Sequence, residues 1–102
     1  MIVRWAKGAT EDDKQALRDG LTALPDQIPE IRSYRFGDDA GLTEGNFDFA
    51  VVADFDDRDG FLTYRDHPVH QKLVGDLLRP IVSARAAVQH EWHSALPSDL
   101  PG

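Results

Sequence analysis

Residues 64–70 read YRDHPVH and place a phenol and two imidazoles around a proline. Proline lacks an N–H and its ring clashes with the preceding turn, so it does not continue a helix. It is well suited to the first position of a new helix, where no donor is needed. The stretch therefore predicts that one helix ends at Tyr64, that His67 is the boundary residue, and that a second helix begins at Pro68.

His70 falls in the first turn of the helix that Pro68 opens. The apolar stripe downstream consists of Leu73, Val74, Leu77, Leu78 and Ile81. Because His70 lies three residues before Leu73, and His67 three residues before His70, both histidines share the inward face of that stripe. The positive end of the helix dipole disfavours an imidazolium there, and a neutral, partly buried imidazole suits a general base. Tyr64 is also predicted to point inward, where its hydroxyl can donate a hydrogen bond.

The same stretch has a purely structural interpretation. Two histidines at a helix break can be satisfied by backbone carbonyls, and a tyrosine can fill the core. Spacing alone favours this structural interpretation and leaves the catalytic one open.

The composition describes one small acidic domain. A chain of 102 residues buries only about two thirds of its unfolded surface, so a partner subunit would add stability. Asp and Glu outnumber Lys and Arg 18 to 11, for a formal net charge of -7. Nucleic acid is therefore not an expected partner, because phosphate binding needs clustered basic residues.

The sequence carries few signals that indicate a cellular compartment. Cysteine is absent, so neither disulfides nor thiolate chemistry are expected, which suits a reducing compartment. No run of about 18 apolar residues is present, and residues 1–5 turn polar too soon for a secretory signal. We expect a cytoplasmic protein with no membrane partner.

The predicted order of elements is β-α-β-β-α-β. Strands are expected over residues 1–5, 31–36, 47–55 and 84–93. The first helix is expected to start at a Thr10 cap and to end at Pro25, and the second is broken at residues 67–68. Alternation along the third strand places Phe47, Phe49, Val51 and Phe55 beneath the helices.

This order predicts an α+β, ferredoxin-like fold over residues 1–93, with a four-stranded antiparallel sheet and both helices on one face. Residues 94–102, with two prolines, are expected to form a loosely ordered C-terminal tail. The half-apolar opposite face of the sheet needs a cover, and the simplest cover is a second copy of the chain across a two-fold axis.

Several short segments together match one known family. They are LP at 24–25, IPEIRS at 28–33, FDFA at 47–50, RPIV at 79–82 and, above all, Tyr64 followed by HPVH at 67–70. Over nearly its whole length the chain resembles the stress-responsive A/B barrel (Dabb) family of dimeric α+β barrel proteins. The resemblance implies a homodimer whose two sheets form one barrel.

The resemblance also implies a candidate site. Family members of the olivetolic acid cyclase type close a linear polyketide thioester by intramolecular aldol condensation. Their base is the second histidine of the motif, held by the tyrosine six residues earlier, and these positions are His70 and Tyr64 here. The first histidine of the motif corresponds to His67. This chain departs from that type at Phe49, which replaces a pocket histidine, and it lacks a histidine near the start of the first strand.

The leading hypothesis is a homodimer that binds a small, mostly apolar carbonyl compound, with cyclase- or lyase-type acid–base catalysis by His70 and Tyr64 and no cofactor. The expected ligand contacts are His67, Phe49, Trp5 and Leu73. One alternative is a non-catalytic stress-response or ligand-binding homodimer. Another is a monooxygenase-like barrel that uses no cofactor.

Other patterns do not predict a metal or a haem. A calcium loop beginning at Phe55 fails because the first position requires a carboxylate. His90 and His93 have opposite strand parity and so point to different faces, and the pair in HPVH has no evident third ligand. The arginines Arg4, Arg32 and Arg35 are expected to pair with Asp48 or Asp54 across the barrel, or to meet a ligand carboxylate.

Overall fold

The computed structural model describes residues 1–92. The strands are β1 (Ile2–Trp5), β2 (Ser33–Asp38), β3 (Phe49–Asp54) and β4 (Val82–Ala86). The α-helices are α1 (Glu11–Gln27), α2 (Arg58–Asp66) and α3 (Pro68–Leu73). A π-helical turn (Val74–Leu78) and a 3₁₀ turn (Arg79–Ile81) connect α3 to β4. This order confirms the predicted ferredoxin-like arrangement, with the second helical segment broken at His67.

The strands form one antiparallel sheet in the order β2-β3-β1-β4. Val3 of β1 pairs with Phe49 on one side and with Arg85 on the other. Residues directly opposite each other in neighbouring strands project from the same face. Because Val3 is fully buried beneath the helices, Arg85 also projects from the helix side of the sheet.

The core lies between this sheet face and the helices. Leu17, Leu21 and Leu24 form the single apolar stripe predicted for α1, and all three are buried. The other buried apolar residues are Val3, Ile28, Ile31, Phe49, Val51, Leu73, Val74, Leu78 and Ile81. Thr10 caps α1 as predicted, because its hydroxyl accepts a hydrogen bond from the Asp13 N–H at 3.1 Å.

The predicted end of α1 at Pro25 is wrong, because the helix continues through the proline to Gln27. A proline inside a helix costs about 3 kcal/mol. Continuing the helix keeps Leu24 and Ile28 on the buried face, with 1% and 0% exposure. Burying two such side chains contributes roughly 1.5–3 kcal/mol each, which offsets the cost of the proline.

The last strand is also shorter than predicted. β4 ends at Ala86, opposite Ile2 at the start of β1, so the ladder stops where the partner strand runs out. Residues 87–92 have no regular structure, and Trp92 is 67% exposed. His93 and the tail at 94–102 lie outside the described residues.

Smaller boundaries also differ from the sequence-based expectation; β2, for example, covers Ser33–Asp38 in place of residues 31–36. α2 ends at Asp66, one half-turn beyond Tyr64. Phe47 precedes β3 and lies under the Arg4 guanidinium, 4.4 Å from the ring centroid. Arg4 alternates with the buried Val3 along β1 and therefore projects from the outer face, so the prediction that Phe47 lies beneath the helices is wrong.

The outer face of the sheet carries apolar side chains. Ile2 and Val52 are 39% and 48% exposed there, beside Ala50, which pairs with Ile2. Over residues 1–92, no helix combines the length and the apolar character that a membrane crossing requires.

Candidate functional site

The helix break is built around the His67 backbone. His67 has the extended conformation (φ −61, ψ 133) expected of a residue that precedes proline. It caps α2 at its end and α3 at its start, which confirms its predicted place at the boundary. Its Nδ1 accepts a hydrogen bond from the Val69 N–H at 3.1 Å. This cap requires an unprotonated Nδ1, so the proton of the neutral His67 ring is on Nε2.

His70 adopts the opposite tautomer. Its Nδ1 lies 3.0 Å from the Arg65 carbonyl oxygen. A carbonyl oxygen only accepts, so Nδ1 carries the proton and donates it to this bond. The neutral His70 ring therefore leaves the lone pair of Nε2 free, and this is the arrangement that a general base needs.

The surroundings of His70 keep the ring uncharged. The side chain is half-buried, and desolvation lowers the pKa of His70 below its ordinary value, against the opposing effect of the bond to the Arg65 carbonyl. Charge repulsion lowers this pKa further, from His67 whenever that ring is protonated and from the Arg85 guanidinium. Burial and neighbouring charge, beyond the helix dipole considered from sequence, thus favour the neutral imidazole.

Tyr64 meets His70 through the faces of the two rings. Their centroids are 4.1 Å apart, with an angle of 36° between the planes. The Tyr64 hydroxyl, however, lies 2.8 Å from the hydroxyl of Tyr34. The structure therefore brings the predicted pair together by stacking, while the polar end of Tyr64 is held by a residue that the sequence analysis did not single out.

Tyr34 reaches the site from β2. It pairs with Ala53 of β3, and this small neighbour leaves room for the ring on the helix side. Burial raises the pKa of Tyr34 and the pKa of Tyr64, so both phenols stay neutral. Whichever hydroxyl accepts the bond keeps its own proton for a further acceptor, and a chain of two hydroxyls polarises that proton. Alternation along β2 could have placed Tyr34 inside, but it could not have named its partner.

Aromatic side chains surround the Tyr64 ring. The centroid of Phe55 is 5.0 Å away and that of Phe61 is 6.3 Å away. Phe55 and Phe61 also contact each other edge to face at 5.7 Å. The hydroxyl pair and the imidazole thus border an apolar wall, where electrostatic interactions are stronger than in water.

The remaining predicted ligand contacts lie deeper in the protein. Phe49 is 2% exposed and packs against the half-buried Trp5, with centroids 5.3 Å apart. Leu73 is buried against α1 so closely that a Cβ added at Gly20 would lie 2.9 Å from Leu73 Cδ1. In this structure Phe49 and Leu73 are core residues and Trp5 packs against the core, and their roles as ligand contacts stay predictions.

The depressions on the surface of the described residues include two open ones. One, of about 420 Å³, lies beside Phe47 and Asn46. The other, of about 240 Å³, lies where the 3₁₀ turn enters β4 and is lined by residues that include Arg79 and Arg85. Neither His70 nor Tyr64 lines either depression.

The predicted pairing of Arg4, Arg32 and Arg35 with Asp48 or Asp54 is wrong, because none of the three forms an ion pair with either carboxylate. Arg4 donates to the carbonyl oxygens of Gly45 and Asn46, and Arg32 pairs with Asp56 at 2.9 Å. Gly45, Asn46 and Asp56 lie in the loops next to the strand ends, where a flexible side chain reaches them without crossing the sheet. Within residues 1–92, no three acidic or histidine side chains come together in a way that would hold a metal ion.

Comparison with known proteins agrees with this geometry. The sequence model of the protein family described as Stress Responsive A/B Barrel Domain matches residues 1–91. The chain belongs to the stress-responsive A/B barrel family. No curated protein matches this A/B barrel chain.

Solved structures show the same fold. A dimeric ferredoxin-like protein of unknown function from Thermobifida fusca is 43% identical, with a TM-score of 0.82 over 89% of this chain and 85% of that one. A dimeric protein of unknown function from Bacteroides fragilis is 24% identical, with a TM-score of 0.72 over 89% of this chain and 90% of that one. A Dabb family protein from Mesorhizobium loti is 16% identical, with a TM-score of 0.67 over 81% and 82% of the two chains.

Proposed function

We propose that this A/B barrel protein binds a small, mostly apolar carbonyl compound, and that His70 removes a proton from the carbon next to the carbonyl. The observation that carries the proposal is the hydrogen bond from His70 Nδ1 to the Arg65 carbonyl at 3.0 Å. It leaves Nε2 as a free, uncharged base on a ring that is stacked on Tyr64. Proton transfer of this kind requires no cofactor.

The proton and the electrons that move in the proposed step are all accounted for within the site. The Nε2 lone pair of His70 takes the proton, and the electrons of the C–H bond move onto the carbonyl oxygen to give an enolate. A hydroxyl of the Tyr34–Tyr64 pair donates a hydrogen bond to that oxygen. Where the compound holds a second carbonyl within reach, the enolate carbon attacks it and forms a C–C bond. The resulting alkoxide takes the proton from Nε2, which restores the base and completes an intramolecular aldol reaction.

The protein in this proposal is a homodimer joined through the outer faces of two sheets. Ile2 and Val52, which are 39% and 48% exposed on that face, supply an apolar surface. The 43% identical protein from Thermobifida fusca is dimeric. A second copy would also add buried surface to a chain of 102 residues, whose own core is small.

A second candidate function is a non-catalytic one, in which the same residues stabilise the helix break and the barrel holds a ligand elsewhere. The Tyr34 and Tyr64 hydroxyls satisfy each other, and His67 and His70 are both bonded to backbone groups. The two surface depressions described above are lined by other residues. These observations favour a structural role for the helix break.

The two candidates are separated by an exchange experiment. The probe is 2-heptanone in D₂O, and NMR follows the replacement of its α-hydrogens by deuterium. We expect His70→Ala to slow the protein-dependent exchange by about 10²–10⁴-fold, the usual contribution of a general base. The matched control is His90→Gln, which removes an exposed histidine outside the helices and strands and should leave the rate unchanged. Wild-type exchange rates in folded His70→Ala would refute the catalytic proposal.

A further inference from the structure

Residues 87–92 form an arm after β4, and this arm carries two large apolar side chains that the single chain leaves exposed. Val88 is 75% exposed and Trp92 is 67% exposed. An ion pair between Arg58 and Glu91, at 3.7 Å, ties the arm to its own chain. Both members of this pair are themselves exposed, and such pairs contribute little to stability. The two apolar side chains therefore stay open to a partner outside the chain.

The sequence of the arm has the pattern of a strand. Val88, His90 and Trp92 alternate with polar residues, so they share one face of an extended backbone. Within one chain the ladder stops at Ala86, opposite Ile2 at the start of β1. Strand-forming residues that continue beyond the end of their ladder are open to association with another chain.

The alternation of β4 places the apolar side chains of the arm on the outer face of the sheet. Ala86 lies opposite Ile2, which projects from the outer face, so Ala86 projects from that face as well. An extended continuation of β4 keeps the period of two and adds Val88 and Trp92 to the same face. The arm thus prolongs the apolar surface that includes Ile2 and Val52, both of which are exposed.

The outer face of the sheet is by itself smaller than a standard protein–protein interface. Its four strands contain four to six residues each. With about 4.8 Å between strands and about 3.4 Å per residue, the sheet covers roughly 350 Å² in projection. Even twice that area, to allow for the relief of the side chains, falls short of the about 800 Å² that a standard interface buries on each partner. Six extended residues add a strip about 20 Å long, which is surface that a stable dimer needs.

We propose that the arm continues β4 in the homodimer and packs Val88 and Trp92 onto the second copy of the chain. The inference rests on the homodimer of the proposed function and adds a second contact region to it. A two-fold axis makes the contact reciprocal, so one dimer contains two arms in the same environment. Tryptophan is enriched among the residues that dominate the energy of interfaces. The 43% identical protein from Thermobifida fusca, which is dimeric, agrees with a second copy as the partner.

Sedimentation equilibrium of Trp92→Ser tests the inference through the Kd of the dimer. A dominant interface tryptophan accounts for a factor of about 30 in Kd, and a two-fold dimer loses two of them, so we expect Kd to rise by roughly 10³-fold. Trp92→Phe keeps an aromatic ring and should retain most of the affinity. Gln89→Ser, a polar change on the other side of the same arm, is the matched control and should leave Kd unchanged. Since both side chains are exposed in the single chain, these variants keep the core intact.

The fluorescence of Trp92 provides a second measurement. The chain contains two tryptophans, so Trp5→Phe leaves Trp92 as the single reporter. We expect its emission to move to longer wavelength as dilution separates the dimer, because the arm then enters water. Emission typical of an exposed indole in the dimer would overturn the contact with the second copy. Emission typical of a buried indole in the monomer would also overturn it, because the arm would then be bound to its own chain.

The results separate the arm from the rest of the proposed function. A wild-type dimer whose Kd is unchanged in Trp92→Ser would overturn the role of the arm and leave a dimer joined by the outer faces alone. A wild type that stays monomeric at every attainable concentration would overturn both the arm and the homodimer. Wild-type exchange of 2-heptanone in His70→Ala would refute the catalytic base, whereas a Kd that depends on Trp92 would still support the arm.

Discussion

The bond between the hydroxyls of Tyr34 and Tyr64, 2.8 Å apart, predicts a strongly non-additive pair of substitutions. Tyr34→Phe removes one hydroxyl and leaves the other beside an apolar wall. A lost hydrogen bond costs about 0.5–1.5 kcal/mol, and a buried group left without a partner costs about 1–3 kcal/mol. Both side chains are half-buried, so water replaces part of the lost bond. We therefore expect each single substitution to lower the free energy of unfolding by about 1 kcal/mol.

The double variant is the informative one. Replacing both hydroxyls removes the orphaned group along with its partner, and such paired replacements are often nearly neutral. We expect Tyr34→Phe/Tyr64→Phe to be no less stable than either single variant, which gives a coupling energy of about 1 kcal/mol. Urea unfolding at one fixed protein concentration measures all four proteins, because association makes stability concentration-dependent. Additivity within about 0.3 kcal/mol would show that the two hydroxyls do not interact.

Three further predictions follow from the same contacts. Because burial lowers the pKa of His70 below 6.5, the unfolded chain binds more protons at this residue, and stability should fall as the pH drops from about 6.5 towards the folded-state pKa. NMR titration of His70, which is flanked by His67 and Arg85, measures this pKa. Urea unfolding of wild type and His70→Gln measures the pH dependence of stability, and equal pH profiles of the two proteins would contradict the prediction. His67→Ala should cost about 1 kcal/mol because it removes the acceptor for the Val69 N–H, whereas His67→Asn should lose less; equal thermal stabilities of the two variants would exclude the cap. Val52→Asp, on the outer face, should yield monomers in analytical ultracentrifugation, whereas Leu42→Asp, at a loop position that is 87% exposed, should not; a Val52→Asp dimer would rule out the proposed interface.

Local patterns predicted those features whose causes are local. The Thr10 cap, the leucine stripe of α1 and the break at Pro68 each depend on residues within a few positions of one another, and the structure confirms all three. The end of α1 did not follow from its local signal at Pro25. The burial of Leu24 and Ile28 decides that boundary, and burial depends on the sheet beneath them.

The parts of the site that the sequence could not supply all come from distant strands. Tyr34 is 30 residues away from Tyr64 in the chain, and its place depends on the register between β2 and β3. Arg85 reaches the helix side because it pairs with Val3, a contact that no spacing in either strand reveals. The length of β4 likewise depends on its partner strand, since β1 offers only four residues for pairing.

The break at Pro68 also determines which nitrogen of His70 is free. In an uninterrupted helix, the Arg65 carbonyl would accept the Val69 N–H. Here the Val69 N–H donates to His67 Nδ1 instead, so the Arg65 carbonyl is released. His70 Nδ1 and the Gln71 side-chain amide both donate to that carbonyl. The break before the proline thus frees one backbone acceptor, and that acceptor fixes the tautomer of the histidine after the proline. This link gives HPVH a physical reason to act as one unit, because the proline that ends one helix also determines the nitrogen that His70 presents to a ligand.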